Sequence, residues 1–528
     1  MAIVSLNTPG QFGLSIDLSP AELPENAWSA ANNTRFSNGA LQTMRGDQVI
    51  VDGTPEQITY GIPVTAAPTV GAFWLVAGVT HAYAMEGNYL TDVTPIAATG
   101  GPPSEENCWS GANLGQRVVL NDTYRAPWWW PEPSAGTKMI DLPNWPANTL
   151  CKTMRSFKSY LIALDVTKSG VNYPTMVKWS HPALPGQPPA SWDPADETKD
   201  AGEYSLMETS GIVIDCVGMR DTNVIYKSDS VWGMQFIGGV FIFRFTKIFG
   251  DWGIPHRNCA VEYMSGRHFC FTGTDIVAHD GNTVRSVVRS KVKGMLRGIT
   301  DDQIRTCYVA NNPAFDEVWF CWRRAGGGGF GADTAIVWNH LDDTITVRTL
   351  TDIRWIGTGR VDSLPPDSTA WDPTIPKWDD FTSVWAEYNL IPAFYRLMGF
   401  GTGNITWIDG IDLPLLPALC ERAYFGVPVR AGKPPDLSAM KFVRRIWPRF
   451  VTTVAGTRVI LTFGTSDSVG ETITWRAPMT YIIGTTRKLD LTLSGKVFAM
   501  RIESDPSANN GLWRFNGMDV DLEVAGEM

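Results

Sequence analysis

The stretch from Ile212 to Val287 constrains this chain more than any other. It holds short apolar runs in succession, GIVIDCVGM, NVIYKSDSV, GMQFIGG, VFIFRFTKIF and HFCFTGTDIVAHDGNTVRSV, broken by Gly, Asn and Asp. Within it Phe241, Phe243 and Phe245 alternate with Ile242, Arg244 and Thr246. A two-residue period places the three rings on one face of a pleated strand, whereas a helix would scatter them. Asp280-Gly281-Asn282 lies between two such runs and suits a hairpin, because tight β-turns need residues that tolerate positive φ.

The same rhythm recurs along the chain. From Phe73 to Val118, Tyr160, Val213, His268 and Val318, comparable apolar strands are 45, 42, 53, 55 and 50 residues apart. About four short strands per unit at that spacing is what a β-propeller blade requires. A blade cannot cover both its faces alone, and a closed ring of blades covers them all. The expected fold is therefore all-β, a β-propeller of about six blades over residues 61–364, with two stacked sandwiches as the competing architecture. Residues 1–60 read as an N-terminal arm with a helical turn near Leu23 to Trp28 and a hairpin, Thr34 to Phe36 against Ala40 to Gln42, turned at Asn38-Gly39. Residues 365–440 are Pro-rich and irregular, an insertion or connector. In residues 441–528, Leu489, Leu491 and Leu493 alternate with polar residues, as do Met518, Val520, Leu522 and Val524. One wet and one dry face is the mark of an antiparallel sandwich-like domain. One helix is expected over Val288 to Ile299, where Val288, Val292, Met295, Leu296 and Ile299 recur at helical spacing.

Composition agrees with many turns and few long helices: Gly and Pro number 50 and 35 among 528 residues, and 22 Trp contribute to an aromatic content of 11%. The net charge of −10 is spread along the chain, which argues against a phosphate-neutralising grip on nucleic acid. The eight Cys form no CxxC pair and read as reduced, buried small hydrophobes, in keeping with synthesis in a reducing cytoplasm. The most apolar run, Met234 to Phe243, is too short to span a bilayer and is followed by Arg244.

Catalytic chemistry finds little footing. Asp301-Asp302, Asp342-Asp343 and Asp379-Asp380 are adjacent in sequence, so on a strand they point to opposite faces and in a turn they solvate the bend. His268, Cys270 and His279 with Cys259 could be drawn as a zinc set, yet they lack the paired short-loop spacing that fixes two ligands at once. No G-x-S-x-G elbow occurs, and the glycines at 326–329 lead back to a strand rather than to a phosphate-binding helix. No catalytic, metal or cofactor residue is expected. Candidate subunit or partner contacts are Trp128, Trp129 and Trp130, since adjacent strand residues cannot all face one core, with filling of the space between two blade sheets as the alternative, and the basic cluster Arg444, Arg445 and Arg449. Arg285, Arg289, Lys291, Lys293 and Arg297 are expected to face solvent or a partner.

Several motifs resemble the tail nozzle (hub, or tail tubular protein B) proteins of short-tailed bacteriophages. They are Leu23-Pro24 through Trp28 with Ala31 to Phe36 and Gly39 to Gly46; Val177 to Ser180 with Pro189 to Asp193; Ile225 to Val231; Gly238-Gly239 with Phe241 to Phe245; Arg445 to Pro448; Thr472 to Trp475; and Gly511 to Arg514. The resemblance covers most of the chain and is weakest over 365–440. It implies a non-enzymatic virion protein, assembled in the host cytoplasm, that forms a hexameric ring around the DNA exit channel. Its implied partners are the tail adaptor and a tail fibre or tailspike, with double-stranded DNA passing transiently and no stable sequence-specific nucleic-acid binding. A different class, a propeller carbohydrate-active enzyme or lectin acting on host-surface glycans, would instead show an acidic, aromatic-lined sugar pocket.

Overall fold

A computed structural model describes residues 2–64, 73–96, 109–134, 136–239, 241–324, 326, 329, 331–360, 395–401, 403–411, 416–427, 437–506 and 511–524. Five four-stranded antiparallel sheets follow one another in the chain. The first is Ile58–Val64, Phe73–Gly78, Ala82–Glu86 and Tyr89–Asp92; the second is Ser110–Leu114, Arg117–Asn121, Trp128–Trp130 and Ile140–Asp141. Thr149–Phe157 opens the third, Val213–Met219 the fourth and Ala260–Met264 the fifth. A seven-stranded sheet comes next and serves as two blades. Its hinge is the 17-residue strand Thr344–Arg360. The first part of that strand pairs with Ala332–Asn339, and the part beyond Ile353 pairs with Tyr395–Gly401. Asp352, at φ +52°, and a register shift mark the bend. Five blades and these two make seven, one more than the spacing counts. The innermost strands pack in ring order, and the stretch from Ile353 lies beside both Tyr308–Asn312 and Ile58–Val64. The propeller is thereby closed.

The extra blade escapes a count of spacings because its outermost strand comes from the other end of the chain: Gly46–Asp52 pairs with Asn404–Ile411. The N-terminal 60 residues are thus shared out. Gly46–Asp52 completes the seventh blade, while Ala2–Asn7, Ala30–Asn32, Thr34–Ser37 and Ala40–Thr43 join the sheets of a sandwich. The Asn38-Gly39 hairpin forms as expected, with Asn38 at positive φ. The sandwich stacks one sheet built around Lys441–Thr452 and Trp513–Val524 on another built around Arg458–Ser466 and Val497–Ser504. Val443, Ile446, Leu461, Phe463, Leu489, Leu493, Val520 and Leu522 fill the space between them. Of the Pro-rich 365–440 region, much lies outside the described residues, but its described parts supply strands to the seventh blade and Leu419–Phe425 to the sandwich.

Two local expectations are corrected. No helix spans Val288 to Ile299, which holds only a 3-10 turn at Lys293–Leu296. Val288, Val292 and Leu296 are buried as their spacing requires, but the amides of Ile16 and Asp17 donate to Lys291 O and stitch the segment to the N-terminal chain instead. The turn near Leu23 leads into a short strand, Ala27–Trp28.

Candidate interaction surfaces

The three consecutive tryptophans are core residues, exposed by 2, 1 and 0% at Trp128, Trp129 and Trp130. That corrects the expectation of a surface contact. A propeller strand has two cores rather than one: Trp128 and Trp130 pack toward the first blade, against Leu75 and Trp109, while Trp129 packs toward the third, against Leu161 and Trp192. Strand alternation still holds, but both faces are dry.

Arg444, Arg445 and Arg449 remain at the surface, on the outer side of the sandwich. Each meets an acid on a neighbouring strand: Arg444 pairs with Glu523, Arg445 Nε lies 3.1 Å from Asp490 Oδ1, and Arg449 Nη1 lies 4.0 Å from Asp519 Oδ1. Arg449 also donates to Asn7 Oδ1 at 2.5 Å. These half-exposed pairs sit in high dielectric and hold the strands together weakly. In the other basic stretch, Lys291 and Arg285 share Asp343, and Lys293 meets Asp275 at 2.6 Å.

A buried side-chain network joins the innermost strands of several blades. Arg155, on the innermost strand of the third blade, donates to both oxygens of Asp215 on the fourth at 2.8 and 2.9 Å. It also donates to Asn258 Oδ1 at 2.6 Å, ahead of the fifth blade, and to Gly111 O of the second at 3.3 Å. Burial would raise the Asp215 carboxyl, but the guanidinium and two backbone amides outweigh it and hold the pKa below the usual carboxylate value. This fork-to-fork pair ties blades two to five at the centre.

Histidines form the second buried constellation. Tyr226 Oη lies 2.7 Å from His268 Nδ1 and 2.7 Å from His279 Nε2, and Cys270 Sγ donates to it at 3.3 Å. His268 Nε2 is 2.8 Å from the Gly218 carbonyl, so it carries the proton and Nδ1 accepts from the tyrosine. His279 then donates from Nε2, and its Nδ1 accepts from the Gly281 amide at 3.3 Å. Every ring nitrogen is used with both rings neutral. Among the described residues no group of three or more His, Cys, Asp or Glu side chains is placed to hold a metal ion. Seven cysteines, Cys151, Cys216, Cys259, Cys270, Cys307, Cys321 and Cys420, are free and buried, and Cys108 lies outside the described residues.

A pH dependence follows from the histidines. Burial depresses His268 to about 4, and burial with the neighbouring His268 depresses His279 to about 3. In the unfolded chain both titrate near the ordinary value of about 6.5. Below that value the unfolded state binds more protons than the native one, so stability falls with pH until the native rings protonate, at roughly 1 kcal/mol per pH unit for each ring. Urea midpoints measured from pH 7 to pH 4 should decline across this window, and the His268→Gln, His279→Gln double variant should show a flatter profile.

The paired aspartates are engaged separately among the described residues. Asp343 is engaged with Lys291 and with Trp338 Nε1 at 2.9 Å, Asp342 accepts from the Asn38 amide at 2.8 Å, and Asp379-Asp380 lies outside the described residues. The depression between the second and third blades, about 460 Å³, brings Asp141 and Asn148 beside Trp145. It offers one carboxylate where glycoside hydrolysis needs two.

No family model matches the sequence, and no curated protein matches it. Solved structures that it is similar to include the WD40 β-propeller domain of Doa1, at 9% identity and a TM-score of 0.36 over 69% of this chain and 96% of that one. YCF48 bound to a D1 peptide matches at 9% and 0.34 over 68% and 97%. PorZ, a surface component of the type-IX secretion system of Porphyromonas gingivalis, matches at 6% and 0.36 over 72% and 43%. The assignment of the fold as a seven-bladed β-propeller carrying a β-sandwich rests on the strand pairing itself.

Proposed function

We propose that this chain is a non-enzymatic structural subunit of a short-tailed phage virion, a nozzle protein that assembles as a ring around the DNA exit channel. The reading starts from the motifs that resemble that group, and the observation that favours it over an enzyme is that the buried charges on the innermost strands are spent on one another. Arg155, Asp215 and Asn258 are bonded to one another across the third to fifth blades rather than turned to a ligand. DNA would then pass between copies rather than through a propeller. The net charge of −10 suits a lumen that must not retain phosphates. Tail adaptor and fibre or tailspike are the partners this role requires.

The sandwich face bearing Arg444, Arg445 and Arg449 is the proposed copy-to-copy contact, because its charges are paired only at half-exposed, screened positions. The test is the mass and two-dimensional class averages of the purified protein. A ring of six with a lumen of ~20 Å, the scale of duplex DNA, is expected. Reversing the three charges (Arg→Glu) should leave the melting curve close to that of the native chain, since exposed pairs contribute little, and should dissociate the ring. A monomer or trimer that binds or cleaves host glycans would overturn the reading and favour the carbohydrate-active alternative.

A further inference from the structure

The apolar run before Arg244 has an unusual placement. Phe243 is buried and Phe245 half-buried, both in the aromatic cluster between the third and fourth blades, where Phe245 stacks on Tyr204 with ring centroids 4.8 Å apart. Phe241 does not continue that face. It lies in the turn joining Val231–Phe236 to Phe243–Phe249 and is 76% exposed, with Ile237 at 50% and Phe236 at 42%. Gly238 and Gly239, at φ +70° and +74°, close the turn, and Ile237 N donates to Ile242 O at 3.0 Å. Glycines set the backbone there, and apolar side chains crowd the tip where turn chemistry ordinarily puts polar ones.

Cations stand at the base of this tip. Arg244 is exposed, opposite Gln235, and Lys158 from the adjacent blade places Nζ 5.8 Å from the Phe236 ring. Lys158 also approaches Asp221 at 3.4 Å, while Arg244 has no ion pair among the described residues.

We propose that the turn bearing Phe236, Ile237 and Phe241 is a membrane-contact wedge in which these three side chains enter the acyl boundary of an anionic lipid surface while Arg244 and Lys158 meet the lipid phosphates. Exposed apolar side chains at a turn, with cations beside them, suit a surface that is apolar beneath and anionic at its face. Apolar burial with flanking cations is the arrangement by which peripheral segments bind lipid interfaces. Contact is interfacial: no helix of the described residues is long and apolar enough to cross a membrane. The inference does not depend on the nozzle reading, since it concerns one hairpin of one chain.

Vesicle flotation of the full-length protein tests it. Binding to phosphatidylcholine vesicles containing phosphatidylglycerol is expected, weaker binding to phosphatidylcholine alone, and a loss of roughly tenfold or more in partitioning for Phe241→Asp, in line with burial of one aromatic side chain. Phe241 is mostly solvent-exposed, so this variant should fold and melt like the native chain. Arg244→Glu should weaken binding to the anionic vesicles only. Absence of flotation with either vesicle, or flotation undiminished in Phe241→Asp, overturns the proposal; so does a Phe241→Asp variant that changes oligomeric state while the native chain ignores lipid, which would make the tip a contact between copies.

Discussion

Arg35→Met is expected to destabilise the protein by about 3–5 kcal/mol, the usual cost of removing one member of a buried ion network. Arg35 lies on the sandwich hairpin strand Thr34–Ser37, yet its side chain is buried in the propeller. There it pairs with Glu317 of the sixth blade and, at 2.5 Å, with Asp409 of the seventh. Asp409 also accepts from Arg348 Nη1 at 3.2 Å and from the Arg45 amide at 2.8 Å, and Arg348 continues to Asp47. Phe315 lies under the Arg35 guanidinium at 3.7 Å. Burial alone would lower the Arg35 pKa, but Asp409 and Glu317 hold it above its ordinary value, so the charge persists in the dry interior. Removing the cation leaves Glu317, among the described residues, with the Trp319 indole as its side-chain donor, at 3.1 Å. A carboxylate left that way carries its full desolvation penalty. Urea titration should show the lower midpoint, and hydrogen exchange should show the sandwich opening ahead of the propeller. Adding Glu317→Gln to Arg35→Met should recover part of the loss, because the orphaned charge is then gone. A midpoint unchanged by Arg35→Met would mean that apolar packing alone holds the two domains.

That network marks the limit of what the sequence makes visible. Alternation and turn residues are local, so the strands around Phe243, the Asn38-Gly39 hairpin and the dry and wet faces of the C-terminal strands could be read from neighbours two to four positions apart. Arg35 and Glu317 are 282 residues apart, and nothing in either segment names the other. Trp128 to Trp130 show a related limit: local alternation leaves open whether such a run meets a partner or fills two cores, and only the closed ring supplies the second core. The seventh blade was hidden because its outer strand, Gly46–Asp52, returns from the far end of the chain. The Tyr226 hydroxyl between two histidines required the fourth and fifth blades to be set side by side, although His268 and His279 already sat on paired strands. The Arg155–Asp215 pair has the same origin, since the innermost strands meet only in the closed propeller.

Closure itself yields the second large effect. Gly359→Leu is expected to destabilise the propeller by more than the 1–3 kcal/mol, roughly, that ordinary overpacking costs. Gly357 and Gly359 lie on the stretch of Thr344–Arg360 that faces the first blade. A Cβ at 359 would fall 2.5 Å from Pro63 Cβ and 2.6 Å from Trp74 Cζ2, and one at 357 would fall 2.7 Å from Trp74 Cζ3. Neither obstacle can swing away: the proline is fixed in the first strand of the blade, and Trp74 is buried against Phe400. The glycines are needed for this approach rather than for an unusual φ, and Trp355 Nε1 uses the closeness to donate to Gly61 O at 2.7 Å. Forcing the seventh blade from the first removes the packing on both, so the opening should be seen first as faster hydrogen exchange in Ile58–Val64 and in the outer strand Gly46–Asp52. Gly136→Ala, at a position where an added Cβ meets nothing within 4 Å, is the control and should melt like the native chain. Gly359→Ala should cost less in a Trp74→Leu background than in the native chain, because that change, costly in itself, returns room on the facing side. A Gly359→Leu protein with native exchange and melting would show that the ring closes through the Gly46–Asp52 pairing alone, and that the contact between the first and seventh blades is incidental.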